Sequence, residues 1–276
     1  MPVGLRFGRG GPATRTASRL LCPVLAAVAI AAHPEPVLAD TTVSIGPTSV
    51  WCEWQGWGSS LCWWANKYGT RDDMADVLYT RRTVAVASAV GTHVLPGLGF
   101  NIARYNAGGT GIRQLTIDGR LLTPDNPKSL APFKAMTSYW GASAAGGKAE
   151  LAWDWTVDSS QRAMMLKARK RGANIFELFS NSPPWWMCRN LGTTGSSSGR
   201  DDNIAPGHEH DFAVYLAIVA QQARDHWGIG FQSIEPFNEP SANWWKSPGA
   251  QEGCYFDAAT QSTVVRELRS ELDQRD

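Results

Sequence analysis

One rhythm restricts the fold of this chain more than any other feature: an apolar strand ending in polar residues, then a long loop, then an amphipathic helix, repeated. Strands are expected at residues 100–106, 174–179 and 231–237. A helix opens at Asp158, with Gln161 as capping-box partner and Gly172 as its stop. A second covers about 210–227, where Phe212, Tyr215, Leu216, Val219 and Ala220 fall on one stripe. A third starts near Ala258, striped by Val264, Val265, Leu268 and Leu272. Upstream, residues 40–60 are β-rich and residues 72–80 form a short helix opened by Asp72 and Asp73. The loop at 107–157 is too long for a passive connector and is expected to be functional. Strand, loop and helix in alternation imply an α/β fold with parallel strands, right-handed crossovers and ligands at the strand ends.

The first forty residues stand apart from this pattern. Arg6, Arg9, Arg15 and Arg19 precede an apolar run from Leu20 to Ala32, and Val37-Leu38-Ala39 has the small residues of a cleavage site. The run is broken by Pro23 and is shorter than the roughly 20 residues needed to span a bilayer, so residues 1–39 are expected to be a secretory signal peptide. Their loss moves the net charge from +1 to −2, because four Arg and one Glu leave together. A secreted, extracellular protein without a membrane anchor is expected. Lacking a basic stripe, the chain also has no means of gripping phosphates, so no nucleic-acid partner is expected. Cys52, Cys62, Cys188 and Cys254 remain, an even number in an oxidising compartment, and two disulfides are expected from three possible pairings. No CxxC pair is present and His208-Glu209-His210 lacks zinc-motif spacing, so neither a metal nor another cofactor is expected.

Six of the 13 Trp stand in tandem pairs, Trp63-Trp64, Trp185-Trp186 and Trp244-Trp245. Neighbours on an extended segment point to opposite faces, so one ring of each pair must find a surface other than the core. Indole has an apolar face and one N–H donor, which suits a sugar ring with C–H patches and rim hydroxyls. The sharpest single motif is Glu235-Pro-Phe-Asn238-Glu239-Pro240. It puts a carboxylate at the mouth of a parallel strand, beside an amide and fixed by a proline, as a proton donor to a glycosidic oxygen requires.

Five segments in order carry a wider likeness: Gly56-Trp-Gly-Ser-Ser-Leu, Gly99-Phe-Asn-Ile-Ala-Arg104-Tyr-Asn106, Trp153-Asp154-Trp155-Thr, Phe176-Glu-Leu-Phe-Ser-Asn181-Ser-Pro-Pro-Trp185-Trp186-Met and the Asn238-Glu239 motif. Together they resemble glycoside hydrolase family 30, and within it the secreted endo-β-1,6-galactanases, from about Val43 to the last residue. The resemblance implies a (β/α)8 barrel with a small side β-sandwich and a retaining mechanism. It implies that Glu239 is the general acid/base, on the fourth barrel strand, and that Asn238 bonds the 2-hydroxyl of the −1 sugar. Arg104 and Asn106, on the second strand, join the substrate-binding set, Arg104 reaching under the sugar towards the nucleophile. Asp154 and Trp155 would line the −1 subsite, and Asn181 and Trp185, after the third strand, would complete its wall. Cys188 and Cys254 follow neighbouring strands and are the expected disulfide pair; Cys52 and Cys62 are less constrained.

The same resemblance implies that only four βα units are present. On this reading residues 1–39 are the signal, 40–55 an N-terminal β segment of the sandwich and 56–276 a partial (β/α)8 barrel, with the strand-7 nucleophile missing. A retaining enzyme needs two carboxyl groups about 5–5.5 Å apart. Glu235, four residues back on the same strand, stands roughly 13 Å from Glu239 and cannot be the second, and neither Asp154 nor Glu177 matches a nucleophile position. The expectation is a retaining hydrolase of β-1,6-galactan when whole, and an inactive fragment as the 276-residue chain. The alternatives are other family activities (β-1,6-glucanase, xylanase, β-glucosidase) and a secreted carbohydrate-binding fragment without turnover.

Overall fold

The computed structural model describes residues 46, 48, 52–142 and 150–275. The chain divides into two compact units, Met1–Glu53 and Trp54–Asp276. The expected signal peptide at 1–39 lies outside the described residues, as does most of the expected β segment at 40–55, whose described residues carry no strand. Every element below belongs to the second unit.

In chain order these are β1 (Gly58–Ser60), α1 (Trp64–Tyr68), α2 (Asp72–Tyr79), the hairpin β2 (Thr83–Ser88) and β3 (Gly91–Pro96), then β4 (Ile102–Asn106). Two further hairpins follow, β5 (Leu115–Ile117) with β6 (Arg120–Leu122) and β7 (Trp140–Ala142) with β8 (Leu151–Trp153). The chain continues through α3 (Ser159–Lys170), β9 (Ile175–Phe179), α4 (Glu209–Gln222), β10 (Ser233–Glu235) and α5 (Ala258–Asp273). The central sheet has the order β1-β4-β9-β10 with every pair parallel. The expected α/β fold with consecutive parallel strands is therefore present.

Strand alternation explains how this sheet separates structure from chemistry. Ala103 and Tyr105 on β4, and Phe176 and Leu178 on β9, are buried in a core with Met164, Met165 and Ala168 of α3 and Phe212 and Leu216 of α4. Because side chains alternate, the intervening residues must face away from those helices. These are Arg104 and Asn106, Glu177 and Phe179, Ser233 and Glu235. The register aligns them in rows, Arg104 beside Glu177 beside Ser233, and Asn106 beside Phe179 beside Glu235.

Several expectations need correction. The segment 107–157 is not a bare loop, since it holds two hairpins whose strands are only three residues long. Asp158 and Gln161 form no capping box: Asp158 sits at φ 50° and makes no side-chain cap. Gln161 instead gives its Nε2 to the Asn106 carbonyl at 3.0 Å and receives the Asn106 N–H on Oε1 at 3.0 Å, imitating an adjacent strand at the tip of β4. On α5, Val264 and Leu268 are buried but Val265 is 51% exposed, so the stripe is narrower than expected. Asp257 caps that helix, accepting the Thr260 N–H at 2.8 Å.

The disulfide expectation is also overturned. Cys52, Cys62, Cys188 and Cys254 are all free thiols. Cys188 and Cys254 are buried near one another, yet each sulfur is engaged with backbone carbonyls, Cys188 with Pro183 and Pro184 and Cys254 with Tyr255. Burial pushes the Cys188 thiol up to about 12 and raises Cys62 and Cys254 as well, so none of the three is poised as a thiolate.

Candidate active site

The helix-free face of the sheet converges on Arg104. Its Nε donates to Glu177 Oε1 at 2.9 Å and to Glu235 Oε2 at 3.0 Å, and its Nη2 also bonds Glu235. The guanidinium lies flat over the Phe179 ring, 3.4 Å from its centroid. Ser233 Oγ completes the row by donating to Glu177 Oε2 at 2.8 Å. Adjacent strands thus bring one cation between two carboxylates, where cation–π contact and charge-assisted bonds from Nε and Nη2 hold the guanidinium in place.

Above this cluster the chain turns sharply. Asn238 N–H donates to the Ser180 carbonyl at 3.1 Å, tying the end of β10 to the end of β9. Arg104 Nη2 reaches the Asn238 Oδ1 at 3.3 Å, while Asn238 Nδ2 approaches Glu239 Oε2 at 3.4 Å. The amide is thereby oriented, oxygen to the cation and nitrogen to the carboxylate. Glu239 adopts φ 52°, a left-handed conformation uncommon for glutamate. Its carbonyl is clamped by Trp245 Nε1 at 2.9 Å and by Ala242 N–H at 3.0 Å, and its side chain stays in solvent.

The tandem tryptophans divide as alternation requires in this loop, Trp245 buried and Trp244 61% exposed. They border a cavity of about 320 Å³ with Thr194, Lys246 and Gln251. Trp185 and Trp186 depart from that rule, both being buried in one 3₁₀ turn, Trp185–Met187.

The other expected site residues disperse. Asn181 is buried beside Cys62, its Nδ2 3.5 Å from the sulfur. Asp154 and Trp185 do meet, lining one slot of only about 20 Å³ with Thr110 and Thr137. The Asp154 Oδ1 accepts the Thr156 N–H at 2.9 Å and the Thr156 hydroxyl at 2.5 Å. Asn106 is fully buried and gives its Nδ2 to Glu252 at 3.3 Å. Trp155 has ring contacts with Trp153, Tyr139 and Trp227, on the helix side of the sheet.

Glu252 was not anticipated. It is fully buried in the loop after β10 and is ringed by donors: Gly109 N–H at 3.2 Å, Thr110 N–H at 3.0 Å and Thr110 Oγ1 at 2.6 Å, besides Asn106. Burial lifts its carboxyl to about 7 against the pull of those donors. A glutamate in a Gln-Glu-Gly loop gives no sequence signal for such a role. Asp158 is raised to about 7 as well, first by burial, with Tyr105, Gln161 and Tyr139 as hydrogen-bond donors. Among the described residues no three His, Cys, Asp or Glu side chains gather as metal ligands, and no helix is long and apolar enough to cross a membrane.

A parallel sheet whose strand ends carry carboxylates, an oriented amide and an exposed indole places polar groups where α/β folds bind ligands. The sequence model of O-glycosyl hydrolase family 30 matches residues 40–276, and the chain belongs to that family. It is 46% identical to an endo-β-1,6-galactanase of Hypocrea rufa over 252 residues, which cover 91% of this chain and 50% of that protein. Among solved structures it is similar to a conserved exported protein from Bacteroides fragilis, with TM-score 0.63 and 24% identity over 83% of this chain and 43% of the other. It also resembles the catalytic domain of a family 30 xylanase C from Talaromyces cellulolyticus, with TM-score 0.51 and 14% identity over 79% of this chain and 43% of that one. The two structural likenesses concern the fold. The chain spans about half the length of the galactanase relative it matches.

Proposed function

We propose that this chain supplies the acid/base half of a secreted, retaining hydrolase of β-1,6-galactan, built on the first four βα units of a (β/α)8 barrel. The observation that carries the reading is the Asn238-Glu239 pair at the end of the fourth parallel strand. Its main chain is anchored to β9 and Trp245, while the glutamate side chain is left free in solvent. In this position Glu239 protonates the leaving glycosidic oxygen and then deprotonates the incoming water. Asn238, turned by Arg104, offers its amide to a hydroxyl of the same sugar. Asp154, Asn181 and Trp185 back the subsite, while Asn106 acts through Glu252.

Two further carboxylates lie near, and both are engaged. Glu177 and Glu235 share the Arg104 guanidinium, and Glu235 is the last residue of β10, four positions before Glu239 in the following turn. Pairing with arginine keeps a carboxylate ionised and excludes neither, so the assignment of the nucleophile to a residue outside this chain follows the family resemblance, which puts it on a later strand. The galactan preference follows the 46% identical relative rather than the geometry.

The test is product release from β-1,6-galactan. The chain itself is expected to release none, whereas residues 40–276 fused to the remaining half of the Hypocrea rufa protein are expected to yield β-1,6-galacto-oligosaccharides. Glu239→Gln in the fusion is expected to lower kcat by at least about 100-fold. Turnover by the unfused chain would overturn the assignment of the nucleophile, and galactan affinity without product in the fusion would favour a binding role. N-terminal sequencing of protein recovered from culture medium tests the leader, with Asp40 expected first.

A further inference from the structure

The hairpin of β7 and β8 carries an aromatic ladder that the strand-end site does not use. Trp140 and Trp153 are direct cross-strand partners, and Trp155 follows in the turn after β8, where its ring stacks beside that of Trp153. Trp140 and Trp153 stack with centroids 5.0 Å apart and planes 9° from parallel, and Trp153 and Trp155 stack at 5.1 Å and 15°. All three remain half-exposed. Beneath them Tyr215 of α4 stacks on Trp153, and Trp227 meets Trp155 edge-on.

Beside the ladder lies a cavity of about 380 Å³, floored by Trp153, Trp155 and Ile218 and rimmed by Gln221, Gln222, Asp225 and His226. That volume lies within the range of small-ligand pockets, about 300–1,000 Å³. The rim follows from a change of helical pitch, because α4 runs into a π-helical turn, Ala223–Trp227, that presents Asp225 and His226 to solvent. Asp225 is steadied by Arg224 Nε at 2.9 Å. The rings pack against the core and against one another, and at the cavity they adjoin two amides, a carboxylate and an imidazole. An apolar floor of two indoles and an isoleucine with acceptors and donors at its rim complements a pyranose, whose C–H patches meet the floor while its hydroxyls reach the rim.

We propose that Trp153, Trp155, Gln222, Asp225 and His226 form a second saccharide-binding site on the helix side of the sheet, separate from Glu239, that takes a β-linked pyranose chain. The proposal rests on the reading of this chain as carbohydrate-active and deepens it. Holding one stretch of a polysaccharide here raises the local concentration of its neighbouring links at the strand ends.

Hydrogen exchange of the full chain with β-1,6-galactohexaose, β-1,6-glucohexaose and xylohexaose, each added in turn, tests this. At least one is expected to protect residues 150–157 and 218–227. That protection is expected to persist in Asn238→Ala/Glu239→Gln, and to require at least tenfold more ligand in Gln222→Ala/Asp225→Ala, whose half-buried Gln222 and exposed Asp225 side chains stand at the rim, outside the aromatic stack. Failure of all three to protect 218–227, or equal protection in the rim variant, overturns the second site. Protection at 236–245 is read separately: its absence with galactohexaose, when another oligosaccharide protects there, counts against the galactan reading and leaves the flank site standing.

Discussion

Glu252 and Asp158 are carboxyl groups that folding takes out of water, both raised to about 7 chiefly by burial. Their ordinary values lie near 4, so between about pH 4 and 7 the folded chain binds more protons than the unfolded one. Stability must then fall as pH rises through that window and level off above it, by up to about 4 kcal/mol for each group. Thermal unfolding is expected to show a Tm lower by several degrees at pH 8 than at pH 5.5. Glu252→Gln is expected to remove about half of that slope while lowering Tm at both pH values, since an amide N–H would face the Gly109 and Thr110 donors. A Tm that rises across this interval would contradict the assignment. At this scale the sequence was a partial guide. Glu239, Asn238 and Arg104 are brought together as their motifs suggested, but Asn106 turned out to be a support for Glu252. Which groups a buried glutamate will meet depends on loops that close from 142 residues away, and no local pattern records that.

At the scale of elements, legibility followed the strength of the period. Helices α3, α4 and α5 and strands β4 and β9 were readable because their apolar positions must satisfy one sheet face or one helix stripe. The hairpins at Thr83–Pro96 and within 107–157 were not, since short strands that are half-exposed carry little apolar alternation. Gly195 shows what the loops themselves require. It adopts φ 104°, and a Cβ there would lie 2.0 Å from the Trp245 carbonyl. Gly195→Ala is expected to destabilise the chain by more than about 1 kcal/mol, seen as a Tm drop of roughly 2–4 °C or more. In a catalytically competent fusion it is expected to lower kcat as well, because Trp245 holds the Glu239 carbonyl. An alanine variant with unchanged Tm would show that the loop has room to yield.

Across the whole molecule, the described parallel sheet ends in two open edges, β1 pairing only with β4 and β10 only with β9. Beside β10 runs a groove lined by Phe231, Ile234, Leu268 and Leu272, with Val265 exposed at its border. Unpaired strand edges next to apolar surface favour association. Sedimentation velocity of the purified 276-residue chain is expected to show concentration-dependent self-association at micromolar levels, and a monomer at high concentration would contradict this. The loops at the opposite, ligand-facing end are joined differently. Ser196 N–H bonds the Trp245 carbonyl, Ser247 N–H returns to Ser196, and Gly253 N–H bonds Thr193. Each of these ties runs through the main chain, which every amino acid except proline provides in full. Outside the glycines that the geometry demands, Trp245, whose indole holds the Glu239 carbonyl, and buried Glu252, the side chains along these loops are therefore open to mutational drift that leaves Glu239 where it is. For an engineer or for natural selection, the chemistry lining these loops and the position of Glu239 become separately adjustable traits.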